Sequence, residues 1–234
     1  MKIRQNKLMA VGITAAVFSL LLLVMTAPAT LAKEKQELPG ETHDGLVLVP
    51  DRKVYSAYLD PEADLGIYNK IMILDCYVAF RKNWQRDHKR TGSMLSISSS
   101  EMDRIKEGVA DLFQEVFAEE LSENGGYQIV DTAGDDVLLV RPAIIDLDVA
   151  APDTLSAGMT RVYTTTAGAA TLYIELYDSV TGDILARAAD RREAQTMGGY
   201  MSYSNRVTNT ADARRMMLKW AVLLRERLDE FHGK

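Results

Sequence analysis

An uncharged, mostly apolar run from Leu8 to Met25 follows Lys2, Arg4 and Lys7. A short basic segment leading into an apolar one is the pattern of a secretory leader, not of a folded domain. Small residues suited to cleavage come next, as Ala27-Pro28-Ala29 and as Thr30-Leu31-Ala32 with Lys33 beyond. The second site is preferred, because a charge just after the cut marks the return to soluble sequence and Pro28 breaks the helix ahead of it. Residues 1–32 are therefore expected to be a signal peptide. The alternative is an uncleaved anchor, since the 18 residues from Leu8 to Met25 reach the lower limit for spanning a hydrocarbon core. Either way the rest of the chain is expected outside the cytosol, in the periplasm or tethered to the inner membrane through residues 8–25.

No cysteine lies in or just after the apolar run, so the lipid attachment of a bacterial lipoprotein is not on offer. The only cysteine is Cys76, which cannot close an internal disulfide, so stability after export must come from a core. Cleavage after Ala32 leaves 202 of the 234 residues, enough for one domain that buries about 70% of its unfolded surface. The leader holds three of the 27 basic residues and none of the 33 acidic ones, so the mature chain carries 24 against 33, a net charge of −9. Such a surface argues against nucleic acid as a partner.

Residues 33–43 are polar, with Pro39-Gly40 inside them, and read as a mobile tether; residues 44–234 then read as a single α+β domain. Leu46–Val49 suggests a short strand. Ile71–Phe80 reads as one strand buried on both faces, with Met72, Leu74, Cys76, Val78 and Phe80 on one side and Ile71, Ile73 and Tyr77 on the other. Ser98 three residues before Glu101 forms a capping box, and Met102, Ile105, Val109, Leu112, Phe113, Val116, Phe117 and Leu121 recur at helical spacing. Asn124-Gly125-Gly126 ends that helix. Tyr127–Val130 and Val137–Val149 read as strands, the latter bent by Pro142 or confined by it to an edge. Residues 150–166 read as a loop. Ala169–Tyr177 and Ile184–Ala194 make a hairpin, with Leu172, Ile174 and Leu176 toward the core and Tyr173, Glu175 and Tyr177 outward. A last helix is capped at Asn209 or Thr210 and carries Ala213, Met217, Trp220, Leu224, Leu228 and Phe231 on its apolar stripe. The expected architecture is α+β: two layers, a mixed but mostly antiparallel sheet with two amphipathic helices packed on one face.

Three segments carry a family resemblance: Asp44-Gly45-Leu46, Tyr68-Asn69-Lys70-Ile71-Met72-Ile73 and Asp178-Ser179-Val180-Thr181-Gly182. Together they resemble the exported proteobacterial proteins grouped as domain of unknown function 3313, many of them lipoproteins, from Asp44 to the end of the chain. The resemblance implies an envelope location and supplies no catalytic residues. The missing leader-proximal cysteine departs from its lipoprotein members.

The candidate sites are surface features. Arg81-Lys82-Asn83-Trp84-Gln85-Arg86-Asp87-His88-Lys89-Arg90 concentrates base and an aromatic in an acidic chain, so Arg81, Lys82, Trp84, Arg86, Lys89 and Arg90 could grip an anionic envelope component or an acidic protein. The competing reading is a solvated loop with Trp84 folded back on the core. Tyr200 and Tyr203, in a glycine-hinged loop, could form a contact surface or cover a sheet edge. Asp146 and Asp148 alternate along one strand face but are too few for a metal cage. Asp75 would carry a raised pKa if buried and unpaired. His43, His88 and His232 have no zinc spacing, and Cys76 reads as a core residue. No metal, cofactor or catalytic set is expected. The functional expectation is a non-enzymatic envelope interaction domain; the alternatives are a carboxylate-dependent hydrolase using Asp146 and Asp148, or a structural subunit of a symmetric envelope assembly.

Overall fold

A computed structural model of the chain describes residues 37–50, 52–90, 97–149, 162–164, 166–195, 202–204 and 206–234. Within them the elements run β1 (Val47–Leu48), β2 (Ser56–Leu59), β3 (Lys70–Ile73), β4 (Tyr77–Phe80), α1 (Trp84–Arg90), α2 (Ser99–Glu119), β5 (Gln128–Ile129), β6 (Val137–Asp148), β7 (Val162–Thr164), β8 (Thr166–Asp178), β9 (Ile184–Gln195), β10 (Ser202–Ser204) and α3 (Arg206–Phe231). The leader and its cleavage sites lie outside the described residues, among which no helix is long and apolar enough to cross a membrane.

Eight strands form one mixed sheet in the order β1-β2-β9-β8-β6-β3-β5, with β4 also beside β6. The run from β1 to β6 is antiparallel, whereas β6 pairs in parallel with β3 and β4, and β3 with β5. Helices α2 and α3 pack on one face, where Phe113, Phe117, Leu138, Ile144, Leu172, Ile174, Leu176, Met217, Trp220 and Leu228 make a single buried cluster. This is the two-layer, mixed and mostly antiparallel α+β architecture that the periodicities imply. Ser98 caps α2 and Glu101 returns the bond to the Ser98 amide, as the capping box predicts. A π turn at Glu120–Asn124 and Gly126 at φ +73° close it.

The strand expected over residues 71–80 is two strands. The Leu74 amide donates to the Val140 carbonyl, and the next rung of a parallel ladder would be an amide at 142 donating to Leu74. Position 142 is proline, which has no N–H, so the ladder stops there and residues 74–76 leave the sheet. Pro142 thus sits on a central strand, not at an edge. The break also shifts the facing by one residue: Ile71 is buried, then Cys76 and Val78, while Tyr77 is 65% exposed and Asp75 is exposed. Strand β6 makes the matching adjustment at a bulge where Asp146 takes φ +51°, so Leu147 returns to the core.

Three further expectations change. Residues 84–90 are helix α1, not loop. The stretch 150–166 contains β7, which pairs with β10, and β8 begins at Thr166. Helix α3 is under way at Arg206, ahead of the proposed caps. The polar segment before residue 44 is fixed from Pro39 onward: the Pro39 carbonyl accepts from Tyr58 Oη, the Gly40 carbonyl accepts from the Leu48 amide, and Glu41 bridges to Val47.

Candidate functional site

On the helix side of the sheet, neighbouring strands align small residues. Ala57, Ala188 and Ile174 form one cross-strand row, and Leu59, Ala186 and Leu176 the next. Alanine at the core-facing positions of β9 does not reach α3, whose Trp220, Leu224 and Phe231 face it. The result is a half-open, predominantly aliphatic cavity of about 170 Å³. An unfilled apolar void of that size costs at most about 4 kcal/mol, at ~24 cal/mol per Å³.

Charged residues ring the mouth and hold the wall together. Lys53 Nζ donates to Glu226 Oε2 at 2.9 Å, joining the loop before β2 to α3; this hydrogen bond raises the Lys53 pKa and lowers that of Glu226. Asp190 accepts from Trp220 Nε1 at 3.0 Å, from Arg192 Nε at 2.7 Å and from the Tyr55 amide at 3.1 Å. Arg52 Nε donates to the Tyr55 carbonyl at 2.8 Å. These polar groups fix geometry, and what the concavity offers a ligand is mainly aliphatic surface.

The basic stretch is reorganised by α1. Trp84 is 1% exposed and stacks on Phe80 at 4.3 Å, so it is a core residue and leaves the candidate surface. Arg81 bonds Asp87 at 2.7 Å and Asp148 at 2.9 Å, which spends its charge inside the fold and raises its pKa, chiefly through Asp87. Lys82 and Arg86 are exposed, and Arg86 lies 3.7 Å from Asp87. The side chains of Lys89 and Arg90 lie outside the described residues. So does Tyr200, and so does the side chain of Tyr203, whose backbone pairs with Tyr163.

Asp146 and Asp148 do not form a pair: the bulge sets Asp146 apart and Asp148 is bound to Arg81. Neither lines the cavity. Among the described residues no group of three or more His, Cys, Asp or Glu side chains could hold a metal. His232 Nδ1 lies 2.8 Å from the Leu228 carbonyl beside Tyr127, and His43 is exposed. Cys76 is buried, and burial pushes its thiol pKa up to about 12.

The opposite face holds a feature that alternation alone misread. Glu175, expected to point into solvent, is 7% exposed. It accepts from Tyr173 and Tyr177 at 2.9 and 2.8 Å and from Arg187 at 3.0 Å, and Arg187 also donates to Asp44. Burial pushes its pKa up, but those bonds outweigh burial and hold it below the usual range. The network ties the segment around Asp44 to the sheet. The cavity was likewise missed, although its signal lay in the sequence: alanines alternating along β9 opposite a leucine-rich helix.

The segments that suggested a family are structural in this geometry. Tyr68 Oη donates to Asp178 at 2.9 Å, Asp178 also accepts the Val180 and Thr181 amides of the hairpin turn, and Leu46 is fully buried. The family model described as protein of unknown function DUF3313 matches residues 47–224, which include the second and third of these segments and not Asp44-Gly45-Leu46. No curated protein matches the chain. Among solved structures, a PelC dodecamer from Paraburkholderia phytofirmans is similar at 10% identity over 70% of this chain and 91% of that one, with a TM-score of 0.35. Protein XCC0632 from Xanthomonas campestris, of the DUF330 family model, is similar at 9% identity over 72% and 92%, with a TM-score of 0.37. A putative neuraminyllactose-binding hemagglutinin homolog from Helicobacter pylori is similar at 7% identity over 74% and 92%, with a TM-score of 0.31. With the match extending from β1 into α3, the chain belongs to the DUF3313 family of proteins of unknown function.

Proposed function

We propose that this chain is an exported, non-enzymatic binding domain of the bacterial envelope that works through the cavity between α3 and strands β2, β9 and β8. The observation that carries the reading is the alanine-floored cavity itself. It is concave, aliphatic and rimmed by ordered charge, the general make-up of a small-molecule site. A hydrolase reading needs polar groups converging on such a space, and the two carboxylates considered for that role lie elsewhere. Export is supported by the order of basic and apolar residues at the N-terminus.

The binding claim is tested by titrating the purified chain calorimetrically with hexanol, a neutral apolar probe whose six carbons match the cavity volume. A saturable, one-site heat is expected; heats no larger than those of dilution overturn it. For export, osmotic shock should release a chain beginning at Lys33, or leave the chain in the inner membrane if the leader stays uncleaved. Recovery of the chain with its first residues intact in the cytosol contradicts that part.

A further inference from the structure

The mouth of the cavity is ringed by charge. Arg52, Lys53 and Arg227 stand there with Asp190, Glu226 and Glu230, on a chain whose net charge is −6, while the Arg187 side chain turns away from it. Most of these charges are already matched. Lys53 pairs with Glu226, Arg227 with Glu230, Asp190 with Arg192, and Arg187 with Asp44 and Glu175 on the other face.

Arg52 is the remainder. Its guanidinium donates to two backbone carbonyls, those of Tyr55 at 2.8 Å and Val49 at 3.5 Å, and among the described residues it meets no carboxylate. Two carbonyl contacts hold it at the rim without a charged partner among the described residues. A guanidinium offers five N–H donors, so donors remain for an outside oxyanion, which arginine binds in a planar, two-pronged manner.

We infer that the cavity takes an anionic amphiphile with a single aliphatic chain, the tail lying over Ala57 and Ala188 and the acidic head meeting Arg52. This assignment rests on the cavity being a binding site at all. The size sets the tail: an engineered apolar cavity of about 150 Å³ holds benzene, so a space of about 170 Å³ accommodates roughly six carbons beneath the rim. A medium-length acyl chain with its carboxylate at the surface fits both dimensions.

The test compares octanoate, octanol and octylammonium, equal in tail and different in head, by calorimetry and by the emission of Trp220, which lines the cavity. Octanoate is expected to bind about fivefold more tightly than octanol, and octylammonium more weakly than either; that ratio is the order expected of a partly exposed charge pair. Arg52→Gln should bring octanoate down to the affinity of octanol, whereas Arg52→Lys, which keeps the charge, should retain part of the advantage. Thermal melts of both variants establish that they fold, and the wild-type comparison of heads stands even if one does not. Equal affinities for octanoate and octanol in the wild-type chain, or an advantage that survives Arg52→Gln, overturn the head-group assignment and leave the cavity reading in place. Failure of all three to bind overturns both.

Discussion

Glu175 shows how a single carboxylate can be structural at a position where alternation points to solvent. It sits in a row of cross-strand neighbours, Tyr58 on β2, Arg187 on β9, Glu175 on β8 and Arg141 on β6, and its acceptor capacity is used by two tyrosine hydroxyls and a guanidinium. Removing it leaves Arg187 paired with Asp44 alone and takes the acceptor from two tyrosine hydroxyls, a loss of about 2 kcal/mol. Glu175→Ala is therefore expected to lower the unfolding free energy by about that amount, and Glu175→Gln by less, in urea titrations. The same groups set the pH limits. Asp44, held at about 2 by Arg187 and then Thr42 against a usual 3.8, and Glu175, held below 4.5, favour the folded state above those usual values. Their contribution is lost as pH falls through the lowered ones, between roughly pH 4.5 and 2. On the alkaline side Tyr68 and Tyr173 are pushed from 10 up to about 12 by burial and by the carboxylates they donate to. Their contribution is complete below pH 10 and lost as pH rises through 12. A melting profile that is flat across both windows contradicts this assignment.

At the scale of elements, what local sequence dictates was legible and what a neighbouring strand dictates was not. The start of α2 could be read because the capping box lies wholly within Ser98–Glu101; Ser98→Ala should cost about 1 kcal/mol, measured as a shift in the denaturation midpoint with an unchanged slope. The hairpin between β8 and β9 could be read because Asp178 and Gly182, the latter at φ +76°, are turn residues in their own right. The break between β3 and β4 could not, because its cause is Pro142, more than sixty residues away and visible as a cause only once β6 lies alongside. The helix α1 was hidden by its charge, which suggested solvent, although Trp84 at its start is among the most buried residues of the chain. Gly168 makes the same point: it has φ +133°, and a Cβ there would meet the Asp148 carbonyl oxygen at 2.6 Å, a constraint that exists only because β6 bulges beside it.

For the whole molecule, the family and the layer architecture follow from patterns spread along the chain, whereas the cavity follows from what three strands and a helix fail to fill. No one segment announces it; β9 supplies alanines, β2 supplies Ala57, and α3 supplies the opposing wall. A larger side chain on the cavity floor would fill this space and add the stability that cavity filling commonly provides. Ala188→Leu tests this most directly, because it adds bulk to the middle of the cavity floor. The account predicts that this variant melts at the same temperature as the wild-type chain or higher, while saturable binding of hexanol disappears. A variant that folds and still binds hexanol with wild-type affinity would contradict it.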